Sequence, residues 1–151
     1  MTKQKFIFEK RAYNEDATEA EIQAMKDNVF QYSPQIIYLD EMPVVSPFSI
    51  QLVFEQIEIL GKQMGEHGLL VDIRNTVRPD SITRRAINKE FTRLCENIAH
   101  VSFCTGKNFL INTAARFVMY QTNLDSFSVN KSVEEAVVAI QKSLRQSTII
   151  N

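Results

Sequence analysis

The chain holds few residues of the kinds that make and break bonds. Its histidines are His67 and His100, and its cysteines are Cys95 and Cys104. A Ser-His or Cys-His centre needs its nucleophile and base within a recognisable signature, and neither histidine lies in one. His67, between Glu66 and Gly68, reads as a solvated side chain in a turn. His100 follows a helix, where a bound proton would complement the dipole of the last carbonyls. The scattered histidines and cysteines offer no spacing for a zinc site, so neither a metal nor a cofactor is expected. The cysteines, on a helix and on the strand after it, read as buried free thiols. Asp40 and Asp72 end apolar runs and are the acid/base pair on offer, with no nucleophile or metal beside them. No catalytic residue is assigned, and the chain is not expected to be an enzyme.

Cys104-Thr105-Gly106-Lys107-Asn108 lies between strand and helix, as a phosphate loop would. The phosphate-loop pattern requires glycine at 101 and Ser or Thr at 108, where this chain has Val101 and Asn108. It therefore reads as an ordinary strand-to-helix turn in which Asn108 caps the helix.

The densest charge is basic: Arg74, Arg78, Arg84, Arg85, Lys89 and Arg93 crowd the segment that begins at Asp72. Arg85, Lys89 and Arg93 recur every fourth residue, which aligns them on one side of a helix. Such a stripe is either a solvated face, partly neutralised by Glu90 and Glu96, or a receiver for an acidic partner or a phosphate. Arg78, Arg84, Arg85 and Lys89 are the candidate contacts. Ser81 stands beside Asp80 at the start of this helix. A phosphate there would meet the helix's positive end and the guanidinium groups of Arg84 and Arg85. In the alternative, Ser81 or Asp80 simply caps the helix.

The elements that must carry these residues follow closely on one another. Residues 5–13 read as a strand with Phe6 and Phe8 on one face. Thr18-Glu19-Ala20-Glu21 has capping-box spacing, and Ile22, Met25 and Val29 follow at helical intervals. Residues 35–40 suit a buried strand. Ser46-Pro47 opens a helix striped by Ile50, Val53, Phe54, Ile57, Leu60 and Met64, which Gly65 and Gly68 let the chain leave. Residues 69–73 read as a central strand, and a helix runs from the loop at 74–79 to about Ile98. Residues 101–104 form the next strand, followed by a helix carrying Leu110, Ile111, Ala114, Ala115 and Val118. Phe127-Ser128-Val129 makes a last strand, and the Ser132–Glu135 capping box opens a last helix bearing Ala136, Val137, Ile140 and Leu144. Alternating strands and helices predict an α/β fold: a mainly parallel, four- to five-stranded sheet flanked by helices.

At 151 residues and 44% apolar content, the chain suits a single domain over 1–151. Seventeen basic residues against eighteen acidic ones give a net charge of −1, so no global field favours nucleic acid or an anionic membrane. Phe6-Ile7-Phe8 is too short for a signal-peptide core, and no apolar run has bilayer length. The expected location is the cytoplasm.

From residue 35 onward, the element order and the sequence Leu69-Leu70-Val71-Asp72-Ile73-Arg74, then Pro79-Asp80-Ser81, resemble the STAS-like (SpoIIAA-like) domains. These are the relatives of bacterial anti-sigma-factor antagonists and of the cytoplasmic domains of sulphate transporters. The Phe127-Ser128-Val129 strand and the helix opening at Ser132-Val133-Glu134-Glu135-Ala136 extend the likeness. The resemblance implies that Asp72 is the family's strand Asp and Asp80-Ser81 its loop pair, with Ser81 the phosphorylatable position. Regulatory members continue with a small residue and a glycine, whereas this chain has Ile82-Thr83-Arg84, and its Val-Asp-Ile-Arg strand end is that of a divergent branch.

The expected function is a non-catalytic regulatory or protein-interaction domain in bacterial signalling, with a protein partner. The alternative is a small-molecule or lipid carrier, with Asp72, Arg74, Thr105 and Lys107 lining a crevice at the strand ends. Free sheet edges would allow a homodimer.

Overall fold

The structure, a computed structural model, describes residues 5–120 and 126–150. The side chains of Cys95 and Leu110 lie outside the described residues. Thr18 caps α1 (Glu19–Asp27): its hydroxyl accepts from the Glu21 N–H, and the Glu21 carboxylate accepts from the Thr18 N–H. The helix ends at Asn28, so Val29 does not extend the stripe of Ile22 and Met25; it opens β1 (Val29–Ser33). This strand pairs antiparallel with β2 (Ile36–Asp40). Ser46 and Ser49 exchange side-chain-to-backbone hydrogen bonds at the start of α2 (Pro47–Met64), and Pro47 fills the first position, where its missing N–H is not needed. Gly65, at φ 74°, ends that helix in a conformation other residues resist. The chain continues through β3 (Gly68–Asp72), α3 (Ser81–Leu94), a 3-10 turn at Cys95–Asn97, β4 (His100–Cys104), α4 (Phe109–Tyr120), β5 (Phe127–Asn130) and α5 (Val133–Ile150).

The sheet has the order β1-β2-β3-β4-β5, with β2 to β5 parallel and β1 antiparallel at one edge. It is therefore a mixed, mostly parallel sheet of an α/β fold. Period-two alternation divides each parallel strand between two cores. Ile37, Leu39, Leu69, Val71, Val101 and Phe103 pack against α2, α3 and α4, while Ile36, Tyr38, Leu70 and Cys104 pack against α5 through Ala136, Ile140 and Leu144. Burial on both faces is why these strands read as unbroken apolar runs. Because each crossover starts at a strand's carboxyl end, the first turns of α2, α3, α4 and α5 gather along one edge of the sheet.

Residues 5–13 do not form the expected strand. The Glu9 N–H goes to the Tyr13 hydroxyl and the Arg11 N–H to the Glu9 carbonyl, bonds that turn the chain instead of building a ladder. The edge of β2 is already taken by β1. Phe8 packs instead on a small third core of Tyr13, Met25 and Met42, and the Ser46 hydroxyl donates to the Tyr13 carbonyl at 2.5 Å. His67 also departs from expectation: it is 3% exposed, with Nδ1 2.7 Å from the Gly65 carbonyl. Its ring lies against Gly61, where a Cβ would come within 2.8 Å of it, so a glycine one turn earlier makes the seat. Among the described residues, no helix is long and apolar enough to cross a membrane.

Candidate functional site

Asp80 caps α3. Its Oδ1 accepts from the Thr83 N–H at 2.8 Å and its carbonyl from the Arg84 N–H at 2.9 Å. The backbone bond from Thr83 holds the Asp80 carboxyl below its ordinary range. Ser81 is thereby left as the first helical residue, exposed and beside a capping charge. The apolar face of α3 fixes the rest. Thr83, Phe91 and Leu94 turn inward, so Ile82, Arg85 and Lys89 project outward. Ile82 is 64% exposed, and Val77, in the preceding loop beside exposed Arg78, is 51% exposed.

The basic residues of this segment divide by partner. Arg74 is bound to Asp72, and Arg93 to Glu58 and Glu90. Arg84 is half-buried. Arg78, Arg85 and Lys89 make no ion pair among the described residues. The outer side of α3 and the loop before it thus offer unneutralised cations together with exposed apolar side chains.

The residues expected to line a crevice are placed differently from one another. Asp72 is buried at the end of β3 and accepts from Arg74 Nε at 2.9 Å, Arg74 Nη2 at 2.8 Å and the Tyr38 hydroxyl at 2.5 Å. Burial alone would push its carboxyl up, but the bonds from Arg74 and Tyr38 outweigh that and hold it below the usual range. The Tyr38 hydroxyl is pushed up, first by burial and then by the carboxylate it donates to. Arg74 lies across Gly106, where a Cβ would come 3.4 Å from Arg74 Cγ. Thr105 is buried with its N–H on the Asn130 carbonyl, and Lys107 is exposed on the turn that follows. Asp40 stands opposite Asp72 in register, but its carboxylate holds Lys5 Nζ at 2.6 Å. Both carboxylates of that pair are occupied by cations.

Two arrangements had no signal in the sequence. Under α5, His100 places Nδ1 2.5 Å from Ser126 Oγ and Nε2 3.0 Å from Ser128 Oγ; Ser128 is also bonded to Ser102 and Asn130. Burial lowers the His100 pKa and so works against the protonated form that would complement a helix end. A histidine bonded to hydroxyls on both nitrogens, with no carboxylate bonded to it among the described residues, is a satisfied polar core. On the other face, at the carboxyl ends of the strands, Glu41 and Thr76 border a cavity of about 70 Å³ whose remaining lining is apolar, with Leu39, Phe54, Phe91 and Phe103 among it. Burial raises the Glu41 carboxyl to about 7. Among the described residues, no group of His, Cys, Asp and Glu side chains could hold a metal ion.

No family model matches the chain, and no curated protein shows significant similarity to it.

Proposed function

We propose that this chain is a non-catalytic, STAS-like protein-interaction domain of bacterial signalling, and that it docks an acidic protein partner on the outer side of α3. The observation that carries the reading is that Arg78, Arg85 and Lys89 are exposed beside Val77 and Ile82 and make no ion pair among the described residues, when Arg74 and Arg93 are neutralised within the fold. Apolar anchors ringed by exposed charge are what a protein partner desolvates on docking. Further support comes from the sequence resemblance, whose loop pair Asp80-Ser81 stands at a helix start with its hydroxyl in solvent. A phosphate on Ser81 would add charge beside the Asp80 carboxylate and within reach of the first turn's N–H groups. It would thereby change which partners the cations attract. The Asp80 cap is complete without Ser81, so the hydroxyl is not required by the fold. A second copy of the chain could add at the free edge of β1, where Phe30 and Tyr32 are exposed beside Tyr38.

Affinity capture from lysate of the native organism tests the reading, with wild type compared with Arg85→Glu/Lys89→Glu and Ser81→Asp. Partners retained by wild type and lost from the charge-reversed variant are expected. An identical set of captured proteins for all three baits would overturn both the surface and the switch.

A further inference from the structure

A hollow of about 180 Å³ opens at the amino-terminal edge of the sheet, the end away from the docking surface, where the last turns of α2 and α3 lead into β3 and β4. His67 stands in its wall with 3% of its surface exposed. Its carbonyl accepts from the Ala99 N–H at 2.9 Å, and its Nδ1 lies 2.7 Å from the Gly65 carbonyl. A carbonyl only accepts, so Nδ1 bears the proton and the uncharged ring carries its lone pair on Nε2. That nitrogen makes no hydrogen bond among the described residues, and it is not sealed from the hollow. It lies over Gly61, where a Cβ would come within 2.8 Å of Nε2 and Cε1, so the glycine keeps this edge of the ring clear. An apolar side chain could fill the same seat without leaving an acceptor bare, and a buried acceptor without a donor costs stability.

The remaining walls narrow what brings the donor. Ile57, Leu94 and Ile98 supply hydrocarbon. The charges at the rim are matched within the fold: Glu58 binds Lys62 and also Arg93, so neither sign calls for an ionic ligand. We infer that this hollow binds a small uncharged molecule with a hydroxyl on an apolar ring, a phenol in its simplest form, the hydroxyl donating to His67 Nε2 and the ring lying against Ile57, Leu94 and Ile98. A dry cavity of about 150 Å³ takes up benzene, so a hollow of about 180 Å³ has room for one such ring. Asn97, exposed on the same wall, offers its amide to a second polar group. The site shares no residue with the docking surface and does not depend on it.

Titration calorimetry of the whole chain in mildly alkaline buffer, comparing phenol with toluene, which carries a methyl group in place of the hydroxyl, tests the assignment. Wild type should bind phenol saturably. His67→Phe, which keeps a ring in the seat and removes the acceptor, should shift the ratio of the two affinities toward toluene by roughly three- to tenfold. Because that variant also loses the bond to Gly65, nitrogen NMR of the wild type gives a second reading. Of the chain's two imidazoles, that of His67 alone should have its Nε2 signal moved by phenol, and toluene should leave the signal in place. No saturable binding of phenol, an unmoved Nε2 signal, an unchanged affinity ratio in the variant, or tighter binding of benzoate or benzylamine than of phenol would each overturn the inference.

Discussion

A buried carboxylate stays ionised where donors replace its water, and Arg74 and Tyr38 do this for Asp72. Tyr38→Phe removes a hydrogen bond to a charged group and should cost about 1–2 kcal/mol in urea unfolding. Arg74→Ala leaves the charge unpaired and should cost more, about 2–3 kcal/mol, reduced from the fully buried case because Arg74 reaches solvent. Glu41 behaves oppositely. Its folded-state pKa near 7 lies above the ordinary 4.5, so the folded protein holds this proton more tightly than the unfolded chain does. Stability from this group is full below pH 4.5 and declines as pH rises through about 7, by at most about 3 kcal/mol because Glu41 is partly exposed. Glu41→Gln should therefore match wild type near the lower limit and exceed its melting temperature in alkaline buffer; parallel pH curves for the two proteins would refute this. Asp80, Ser81, Arg85 and Lys89 were legible in the sequence because caps and helical stripes are local patterns. Glu41 was not, since its meaning comes from walls contributed by distant elements. The division of the cations into paired and unpaired was hidden for the same reason: Glu58, which binds Arg93, lies on another helix.

The helices and the parallel strands could be read ahead of the structure because their signals are short-range. Thr18 with Glu21, Ser46 with Pro47, and Asn108 before α4 each close an end with bonds spanning a few residues. The Ser132 hydroxyl likewise accepts from the Glu135 N–H, although the Glu135 carboxylate turns to the Lys131 N–H instead of completing the expected box. What could not be read was the fate of half-exposed segments. In β1, Phe30, Gln31 and Tyr32 are all exposed, so burial left no alternating pattern to recognise. Residues 5–13 place Phe6 and Phe8 on one face as a strand would, yet the edge of β2 is taken by β1. The close contact of α5 with the sheet has its own test. A Cβ at Gly68 would overlap the Ile140 side chain and lie 3.2 Å from the His100 carbonyl, which is backbone and cannot yield cheaply. Gly68→Ala should destabilise by about 1–3 kcal/mol, the usual range for overpacking, read as a lower urea midpoint. Asp80→Ala should cost about 1 kcal/mol through loss of the cap to Thr83.

A net charge of −1 gives the molecule no overall attraction for anions, so any acidic partner must be drawn by local charge. The consecutive strand order supplies the locality, placing the loop before α3 and the helix's first turns along the carboxyl edge of the sheet. Docking there should weaken with added salt, because exposed charges are screened over about 8–10 Å near physiological ionic strength. Arg85→Glu/Lys89→Glu should leave the melting temperature close to that of wild type, since both residues are exposed and neither makes an ion pair among the described residues. The most direct test is hydrogen exchange of the wild-type chain with and without a captured partner, followed peptide by peptide. Protection confined to the loop at 73–80 and the outer turns of α3 is the predicted result. Protection of α5 or β1, with that segment unchanged, would contradict the placement of the docking surface.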